Sequence, residues 1–236
     1  MAPPAFERAV AYGPYREGMR LAIHALKYGK MLPAARQLGQ RLAAAISQLD
    51  GEAPLEMLVV PVPLHRSKLG QRGFNQADAL ALHALESLRK THPHWQLPLA
   101  HGALVRKRAT GCQAGLTTRQ RRQNVRGAFS VTNREAVHER HVLLIDDIYT
   151  TGATARAAAQ ALRRAGAASV WVATLSRAYC VTRARSGSTV LFEDTDDHLN
   201  TIGIAPIPTP GHFSQAAPGR VLSRKSIHSS HDQPSF

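Results

Sequence analysis

The sequence predicts an α/β protein in which a parallel sheet is flanked by helices. Within residues 1–186, short runs of aliphatic and β-branched residues alternate with longer amphipathic segments, a pattern typical of parallel strands joined by crossover helices. The apolar content of 44% is close to the globular average. No apolar run approaches the roughly 18–20 residues that a membrane span needs. The sequence therefore predicts a folded α/β core without a membrane span.

Two amphipathic helices and one strand are predicted in the first half of the chain. Residues 38–49 carry Leu and Ile at helical spacing, and the apolar residues of 74–88 recur in the same way. The segment between them, 57–62, has the sequence MLVVPV and is predicted to be a buried strand.

Two further strands and a connecting helix are predicted in the second half. Residues 142–145 and 169–174 are short apolar runs that predict buried strands. The Ala-rich segment 151–165 between them predicts a helix, and Gly166 stands where that helix is expected to end.

The chain divides into three predicted regions. Residues 1–55 are expected to form a helical flank or hood, and residues 56–186 the α/β core. Residues 187–236 contain five prolines, a run of Ser and His, and no sustained periodicity, so they are predicted to be a mostly disordered tail. The stretch 189–192 is a candidate edge strand within that tail.

The charge of the chain indicates an anionic partner. Thirty Lys and Arg residues against 16 Asp and Glu residues give a formal net charge of +14. Such an excess suits a nucleic acid, an acidic membrane surface or a phosphorylated small molecule. The N-terminus lacks the features of a signal peptide and the chain has only two cysteines, so a reducing, cytoplasmic location is expected.

The residues suited to chemistry are concentrated where strand 142–145 leads into the following helix. In parallel α/β sheets, ligands bind at the carboxyl ends of strands, and the free amides at the start of a helix bind anions. Hydroxyl side chains and a glycine at this helix start therefore predict a phosphate site. The candidate residues are Thr150, Thr151, Gly152, Ala153 and Thr154.

Two carboxylates just upstream predict a second part of the same site. Asp146 and Asp147 would repel a phosphate but can accept hydrogen bonds from a vicinal diol. A phosphate and a diol about one sugar apart describe a ribose 5-phosphate, so this segment is expected to hold a phosphoribosyl group. The glycine patterns of P-loops and dinucleotide-binding folds are absent. A structural role, in which the Asp and Thr residues serve only as helix caps, is the alternative.

Three segments resemble the motifs of a known family. Residues 143–154, LLIDDIYTTGAT, resemble the phosphoribosyl pyrophosphate (PRPP) motif of type I phosphoribosyltransferases. More narrowly, 60–66 followed by 72–76, and also 113–129, are similar to motifs of the ComF/GntX family. The resemblance implies a type I phosphoribosyltransferase-like sheet and PRPP as a ligand. Family members commonly begin with a cysteine-rich zinc module, but this chain has no cysteine before Cys112, so no zinc role is expected.

Phosphoribosyl transfer also needs positive charge around the pyrophosphate leaving group. Mg²⁺ and basic side chains would neutralise that group. The turn after strand 57–62 corresponds by resemblance to the pyrophosphate loop, so Arg66 and Lys68 are candidate catalytic residues. Mg²⁺ is expected to arrive with PRPP and not to have direct protein ligands.

The segment 101–128 is strongly basic and contains no acidic residue. It is expected to be a mobile lid that closes over pyrophosphate and excludes water, with Arg106, Lys107 and Arg108 as further catalytic candidates. The same charge density would also suit single-stranded DNA. The ComF family is associated with DNA uptake in competent bacteria, so a partner in the competence machinery is a related expectation.

Two functions are compatible with these patterns. The expected function is transfer of the 5-phosphoribosyl group from PRPP to an unknown nitrogen nucleophile, with release of pyrophosphate. The alternative is a non-catalytic competence protein that senses PRPP or handles single-stranded DNA. The fold alone does not separate an enzyme from a binding protein.

Overall fold

The computed structural model describes residues 5–28, 32–109, 118–178 and 202–204. Its helices are α1 (Glu17–Tyr28), α2 (Leu32–Ile46), α3 (Arg66–Arg72), α4 (Gln76–Thr91), α5 (Thr118–Val125) and α6 (Ala153–Arg164). Its strands are β1 (Arg8–Pro14), β2 (Leu58–Pro61), β3 (Leu104–Arg106), β4 (Phe129–Val131), β5 (His141–Tyr149), β6 (Ser169–Arg177) and β7 (Ile202–Ile204). A short 3-10 helix, Ser47–Leu49, follows α2.

Five of the described strands form a parallel sheet in the order β2-β5-β6-β1-β7. Strands β2, β5 and β6 confirm the three strands predicted at 57–62, 142–145 and 169–174. All nine residues of β6 are buried, as expected for a parallel strand that is covered on both faces. The predicted α/β fold with flanking helices is therefore confirmed.

Helices cover both faces of this sheet. Apolar side chains of α1, α2 and α4 pack on one face, and the Ala-rich side of α6 packs on the other. The helices predicted at 38–49 and 74–88 are thus confirmed as α2 and α4. A Cβ added at Gly39 would lie 3.0 Å from the backbone carbonyl carbon of His83, so this glycine allows α2 and α4 to approach closely. No helix in the described ranges combines the length and apolar character that crossing a bilayer requires.

The N-terminal region differs from the helical flank expected for residues 1–55. Strand β1 lies inside the sheet and pairs in parallel with β6, from Arg8 opposite Trp171 to Pro14 opposite Arg177. Its centre is Ala-Val-Ala-Tyr, which contains a single β-branched residue and therefore has a weak strand signal. The position of β1 is decided by its pairing with β6 instead.

Most of the predicted tail, 187–236, and the candidate strand at 189–192 lie outside the described residues. The described part of this region is β7, which pairs in parallel with β1 at Ala9 opposite Ile202 and Ala11 opposite Ile204. A three-residue strand has too short a pattern to be recognised from the sequence. An edge strand is therefore present at Ile202–Ile204, and the candidate at 189–192 stays a prediction.

The basic segment 101–128 contains regular structure in its described parts. Strands β3 and β4 form a small antiparallel pair in which Arg106 lies opposite Phe129, and α5 precedes β4 in the chain. Residues 110–117 lie outside the described residues, so the expected lid is described only at its two ends. Buried residues at these two ends, among them Leu104 and Ala128, belong to the hydrophobic cluster on the face of the sheet that α6 covers.

Candidate functional site

The carboxyl ends of β2 and β5 open into a cavity of about 240 Å³. Helices α3 and α4 follow β2, and α6 follows β5, so the starts of helices surround the cavity. Every residue of the predicted phosphoribosyl clamp, 146–154, lines it except Thr151. The structure therefore brings the predicted diol-binding and phosphate-binding residues together at one opening.

Asp146 lies within β5 and not after it, because β5 continues through the acidic pair to Tyr149. Its carboxylate accepts a hydrogen bond of 2.8 Å from the backbone amide of Asp147. The side chain faces the cavity but is shielded from bulk water, and this desolvation raises the pKa of Asp146 to about 7. Repulsion from Asp147 acts in the same direction. Asp146 is therefore able to hold a proton near neutral pH.

Asp147 is paired with a lysine that the sequence reasoning did not select. The ammonium nitrogen of Lys27, at the end of α1, lies 2.6 Å from the Asp147 carboxylate. The two side chains are only 19% and 14% exposed, so the pair is partly shielded from solvent. Lys27 neutralises one carboxylate of the acidic pair and lines the cavity itself.

The start of α6 is open to an anion. Gly152 precedes the helix and has no side chain, so the first amides of α6 have no side-chain cap. Ala153 and Thr154 line the cavity beside it. The Thr151 hydroxyl is buried without a hydrogen-bond partner among the described residues. Free amides at a helix start suit a phosphate group.

Gly152 is required at this turn for two reasons. Its φ of 66° lies in the left-handed region, which favours glycine. A Cβ at this position would lie 2.6 Å from Cζ of Tyr149 and would also overlap its hydroxyl group. Tyr149, at the end of β5, therefore packs directly against the backbone of Gly152 at the cavity.

Two of the five predicted catalytic cations line the cavity. Lys68 is part of α3, so the predicted turn after β2 is a short helix, which begins at Arg66 with His65 as its cap. Arg106 is at the end of β3, with its guanidinium 5.3 Å from the centroid of the Phe129 ring. Burial lowers the pKa of Arg106, while the charge of Asp146 opposes that change. Both side chains are placed to meet an anionic ligand.

The other three predicted catalytic cations lie outside the cavity lining. Arg66 and Lys107 are exposed, and neither is among the lining residues. Arg108 donates hydrogen bonds to the backbone oxygens of Asn124 and Arg126, which ties the end of β3 to the end of α5. In this arrangement Arg108 stabilises the segment, and a catalytic role for these three residues stays a prediction.

The segment 72–76 supplies cavity residues to which the sequence reasoning assigned no role. Arg72, Asn75 and Gln76 all line the cavity. The motif itself was visible in the sequence, but its side-chain contacts depend on where α3 and α4 are placed after β2. Lys27 had no local signal that distinguished it from the many other basic residues.

The cavity offers few potential metal ligands. Across the described ranges, no cluster of three or more His, Cys, Asp or Glu side chains is placed to hold a metal ion. The available donors are the carboxylates of Asp146 and Asp147, and Mg²⁺ is often bound by one or two carboxylates together with water and substrate phosphates. This donor set fits a Mg²⁺ ion that arrives with a phosphorylated ligand.

Sequence comparisons identify similar proteins. The model of the phosphoribosyl transferase domain family matches residues 84–203. DNA utilization protein YhgH of Escherichia coli O157:H7 is 34% identical over 177 residues, which cover 74% of each chain. Competence protein F of Haemophilus influenzae is 30% identical over 178 residues, which cover 74% of this chain and 75% of that protein. Competence protein ComFC of Bacillus subtilis is 36% identical over 121 residues, which cover 51% of this chain and 44% of that protein.

Comparison with solved structures identifies glutamine PRPP amidotransferase from Bacillus subtilis, in complex with ADP and GMP. The TM-score is 0.36 and the sequence identity 25%. The similarity covers 58% of this chain and 25% of that protein, so it spans about a quarter of the enzyme's length.

Proposed function

Because this chain belongs to the ComF family of type I phosphoribosyltransferase-like proteins, we propose that it binds PRPP and transfers the 5-phosphoribosyl group to a nitrogen nucleophile. One observation carries the proposal. A single cavity is lined by two adjacent carboxylates, by the uncapped start of α6 and by cationic side chains. The cations in the described lining are Lys27, Lys68, Arg72 and Arg106.

The β5–α6 side of the cavity suits ribose 5-phosphate. The first amides of α6 and the Thr hydroxyls would donate to the 5-phosphate, while Asp146 and Asp147 would bind the ribose hydroxyls. A protonated Asp146 can donate as well as accept a hydrogen bond, and Lys27 balances the charge of Asp147. This arrangement reduces the repulsion between the acidic pair and an anionic ligand.

Transfer breaks the bond between the anomeric carbon and a pyrophosphate oxygen and forms a bond between that carbon and nitrogen. The bonding electrons leave with pyrophosphate, so negative charge develops on the leaving group and positive charge on the ribose. Lys68 and Arg106 would stabilise the pyrophosphate, and Mg²⁺ that arrives with PRPP would supply further neutralisation of its negative charge. The acceptor nitrogen would lose its proton to solvent water as the new bond forms.

Calorimetric titration of PRPP with Mg²⁺ tests the proposed clamp. The double variant Asp146→Asn/Asp147→Asn is compared with Asp50→Asn/Glu56→Gln, which removes the same two charges at exposed positions outside the cavity lining. A hydrogen bond to a charged group contributes about 1.5–3 kcal/mol, and Asp147 is the ion-paired carboxylate of the two, so the clamp variant should bind PRPP at least about 10-fold more weakly. The control should bind like the wild type.

Equal effects of the two double variants would contradict the clamp, and so would a wild type that binds no PRPP. Once binding is established, pyrophosphate release is measured with candidate nitrogen nucleophiles. Release that depends on one particular acceptor would support transfer, whereas tight binding without release under any acceptor would favour a PRPP-sensing protein.

A second candidate function is the handling of single-stranded DNA. The relatives are named for DNA utilization and competence, and the described ends of the basic segment expose Lys107, Arg108 and Arg126. Basic side chains on one segment would bind the phosphate backbone without sequence preference. This function is compatible with PRPP binding, because the cavity lining contains none of these three residues.

Salt dependence of DNA binding tests this second candidate. Fluorescence anisotropy with labelled single-stranded DNA compares Lys107→Ser/Arg126→Ser with Arg89→Ser/Lys90→Ser, which removes two exposed charges from the end of α4. Each lost phosphate contact should reduce the slope of log affinity against log salt by about 0.7. An equal reduction in both variants would indicate only nonspecific attraction by the net charge.

A further inference from the structure

The cavity contains a buried side chain with an unused hydrogen-bond donor. Gln76, the first residue of α4, is 2% exposed and lines the cavity. Its amide nitrogen has no hydrogen-bond partner among the residues that the structure describes. A buried donor without a partner destabilises a protein and calls for a physical explanation. A ligand oxygen in the cavity would supply the missing acceptor.

Arg72 determines which atom of the Gln76 amide is available. The guanidinium of Arg72 donates a hydrogen bond of 2.8 Å to the side-chain oxygen of Gln76. Because a guanidinium has no acceptor, the bonded atom is the oxygen and the remaining atom is the nitrogen. Arg72 is itself held against the ring of Tyr28, 5.2 Å from its centroid. The donor is therefore oriented before a ligand binds.

The backbone at the start of α4 is also held in place. Asn75 caps the helix, since its side-chain oxygen accepts from the backbone amide of Ala77. The side-chain nitrogen of Asn75 donates to the backbone oxygen of Val62, just after β2. These two bonds attach the start of α4 to the carboxyl end of the strand and leave Gln76 at the edge where the cavity opens.

The charges near Gln76 favour an anionic ligand. Lys68 and Arg72 belong to the same connection between β2 and α4 and line the same cavity. The start of α4 adds the positive end of a helix dipole. The acidic pair lies near the end of the neighbouring strand, β5, and the start of α6 follows that strand; the proposed function assigns these two parts to the ribose and the 5-phosphate. The diphosphate of PRPP is the remaining anionic group that this side of the cavity would bind.

We propose that Gln76 donates a hydrogen bond to a diphosphate oxygen of PRPP and that Arg72 is its positioning residue. This inference rests on the proposed function, because it assigns the part of PRPP that the β5–α6 clamp leaves unbound. It also gives a physical role to the segment 72–76, whose side chains join α3, α4 and α1 at the cavity.

Calorimetric titrations with three probes test the inference, each in the presence of Mg²⁺: PRPP, ribose 5-phosphate and inorganic pyrophosphate. Gln76→Glu keeps the oxygen that Arg72 binds but replaces the donor by an acceptor. It should weaken binding of PRPP and pyrophosphate roughly 10- to 100-fold and leave ribose 5-phosphate binding within about twofold. Gln71→Glu, an exposed position on α3 with the same charge change, is the matched control and should leave all three affinities unchanged.

A double-mutant cycle separates positioning by Arg72 from a direct contact. If Arg72 acts through Gln76, Arg72→Met should weaken PRPP binding in the wild type but have a smaller effect when Gln76→Met is already present. Equal effects of Arg72→Met in the two backgrounds would overturn the positioning role.

The remaining outcomes distinguish this inference from the proposed function. Unchanged PRPP and pyrophosphate binding by Gln76→Glu would overturn the inference alone, and so would an equal loss of ribose 5-phosphate binding. Gln76-dependent binding of pyrophosphate by a wild type that does not bind PRPP would support the diphosphate contact and contradict the proposed function. A wild type that binds none of the three probes would overturn both.

Discussion

Replacing Asp146 by Asn should stabilise the ligand-free protein increasingly as the pH rises from 5 to 8. Desolvation and the neighbouring Asp147 raise the pKa of Asp146 from 3.8 to about 7 in the folded protein. Between these two values the native state holds a proton that the unfolded state has released, so the stability of the wild type falls as the pH rises. Asn carries no such proton and resembles the protonated carboxyl group in shape.

The size of this change in stability follows from the shift in the pKa of Asp146. Each tenfold change in proton affinity corresponds to about 1.4 kcal/mol, so a pKa of about 7 in place of 3.8 gives a ceiling of roughly 4 kcal/mol. The part that falls between pH 5 and pH 8 is about 2–3 kcal/mol. The stability contribution of the Asp146 proton is thus fully present below pH 3.8 and is lost as the pH rises through about 7.

Urea unfolding followed by circular dichroism measures this effect at several pH values, without PRPP or Mg²⁺. The quantity of interest is the free energy of unfolding of Asp146→Asn minus that of the wild type, at equal slopes against urea. Taking this difference removes the contribution of the other titrating groups. Glu56→Gln, at an exposed carboxylate that pairs with Arg140, is the control and should show no trend in this pH range.

The difference should rise with pH by about 2–3 kcal/mol. A constant difference would mean that Asp146 is already ionised at pH 5 in the folded protein, and the reasoning from desolvation would be wrong. A difference that falls with pH in this range would not come from Asp146, whose pKa in the unfolded protein is 3.8, and would mean that the substitution alters the titration of another group.

Three further predictions concern the stability of the site. Gly152→Ala should lower the free energy of unfolding by roughly 1–3 kcal/mol because the new Cβ overlaps Tyr149 in a left-handed turn; urea unfolding tests this, and an unchanged stability would contradict the packing. Lys27→Met should lower it by about 1–3 kcal/mol by leaving Asp147 without its partner, and recovery of stability on adding Asp147→Asn would identify the ion pair as the cause. Asn75→Ala should lower the free energy of unfolding by roughly 0.5–2 kcal/mol through loss of the α4 cap. Asn75→Asp should retain most of that stability in the same urea unfolding experiment.

The grouping of Asp146, Asp147 and the start of α6 at one edge of the cavity was predictable because these parts are consecutive in the chain. A strand, two carboxylates, hydroxyl side chains and a glycine within residues 143–154 have a spacing in space that follows from their spacing along the backbone. The same holds for the helices α2 and α4, whose buried residues repeat at the helical period. For residues this close in sequence, the helix, strand or turn that they form fixes their relative positions.

Features that depend on pairing between distant segments were not predictable in this way. Strand β5 continues through Asp146 and Asp147 because its pairing with β6 extends to Tyr149 opposite Arg177. Strand β1 has a weak local signal and is held in the sheet by β6 and β7. In both cases, backbone hydrogen bonds to another strand decide the conformation. The residues of the strand itself do not indicate which distant segment supplies those hydrogen bonds.

The residues that line the cavity were also most predictable where they follow one another in the chain. The sequence was sufficient to predict that α6 starts without a side-chain cap, because the glycine before the helix has no side chain to supply one wherever the helix is placed. It was not sufficient to pair Lys27 with Asp147, to orient Gln76 by Arg72, or to separate Arg106 in the cavity from Arg108 outside it. These contacts are set by the packing of α1, α3 and β3 around the ends of two strands, and side chains from separate elements meet only after the sheet and its helices have assembled.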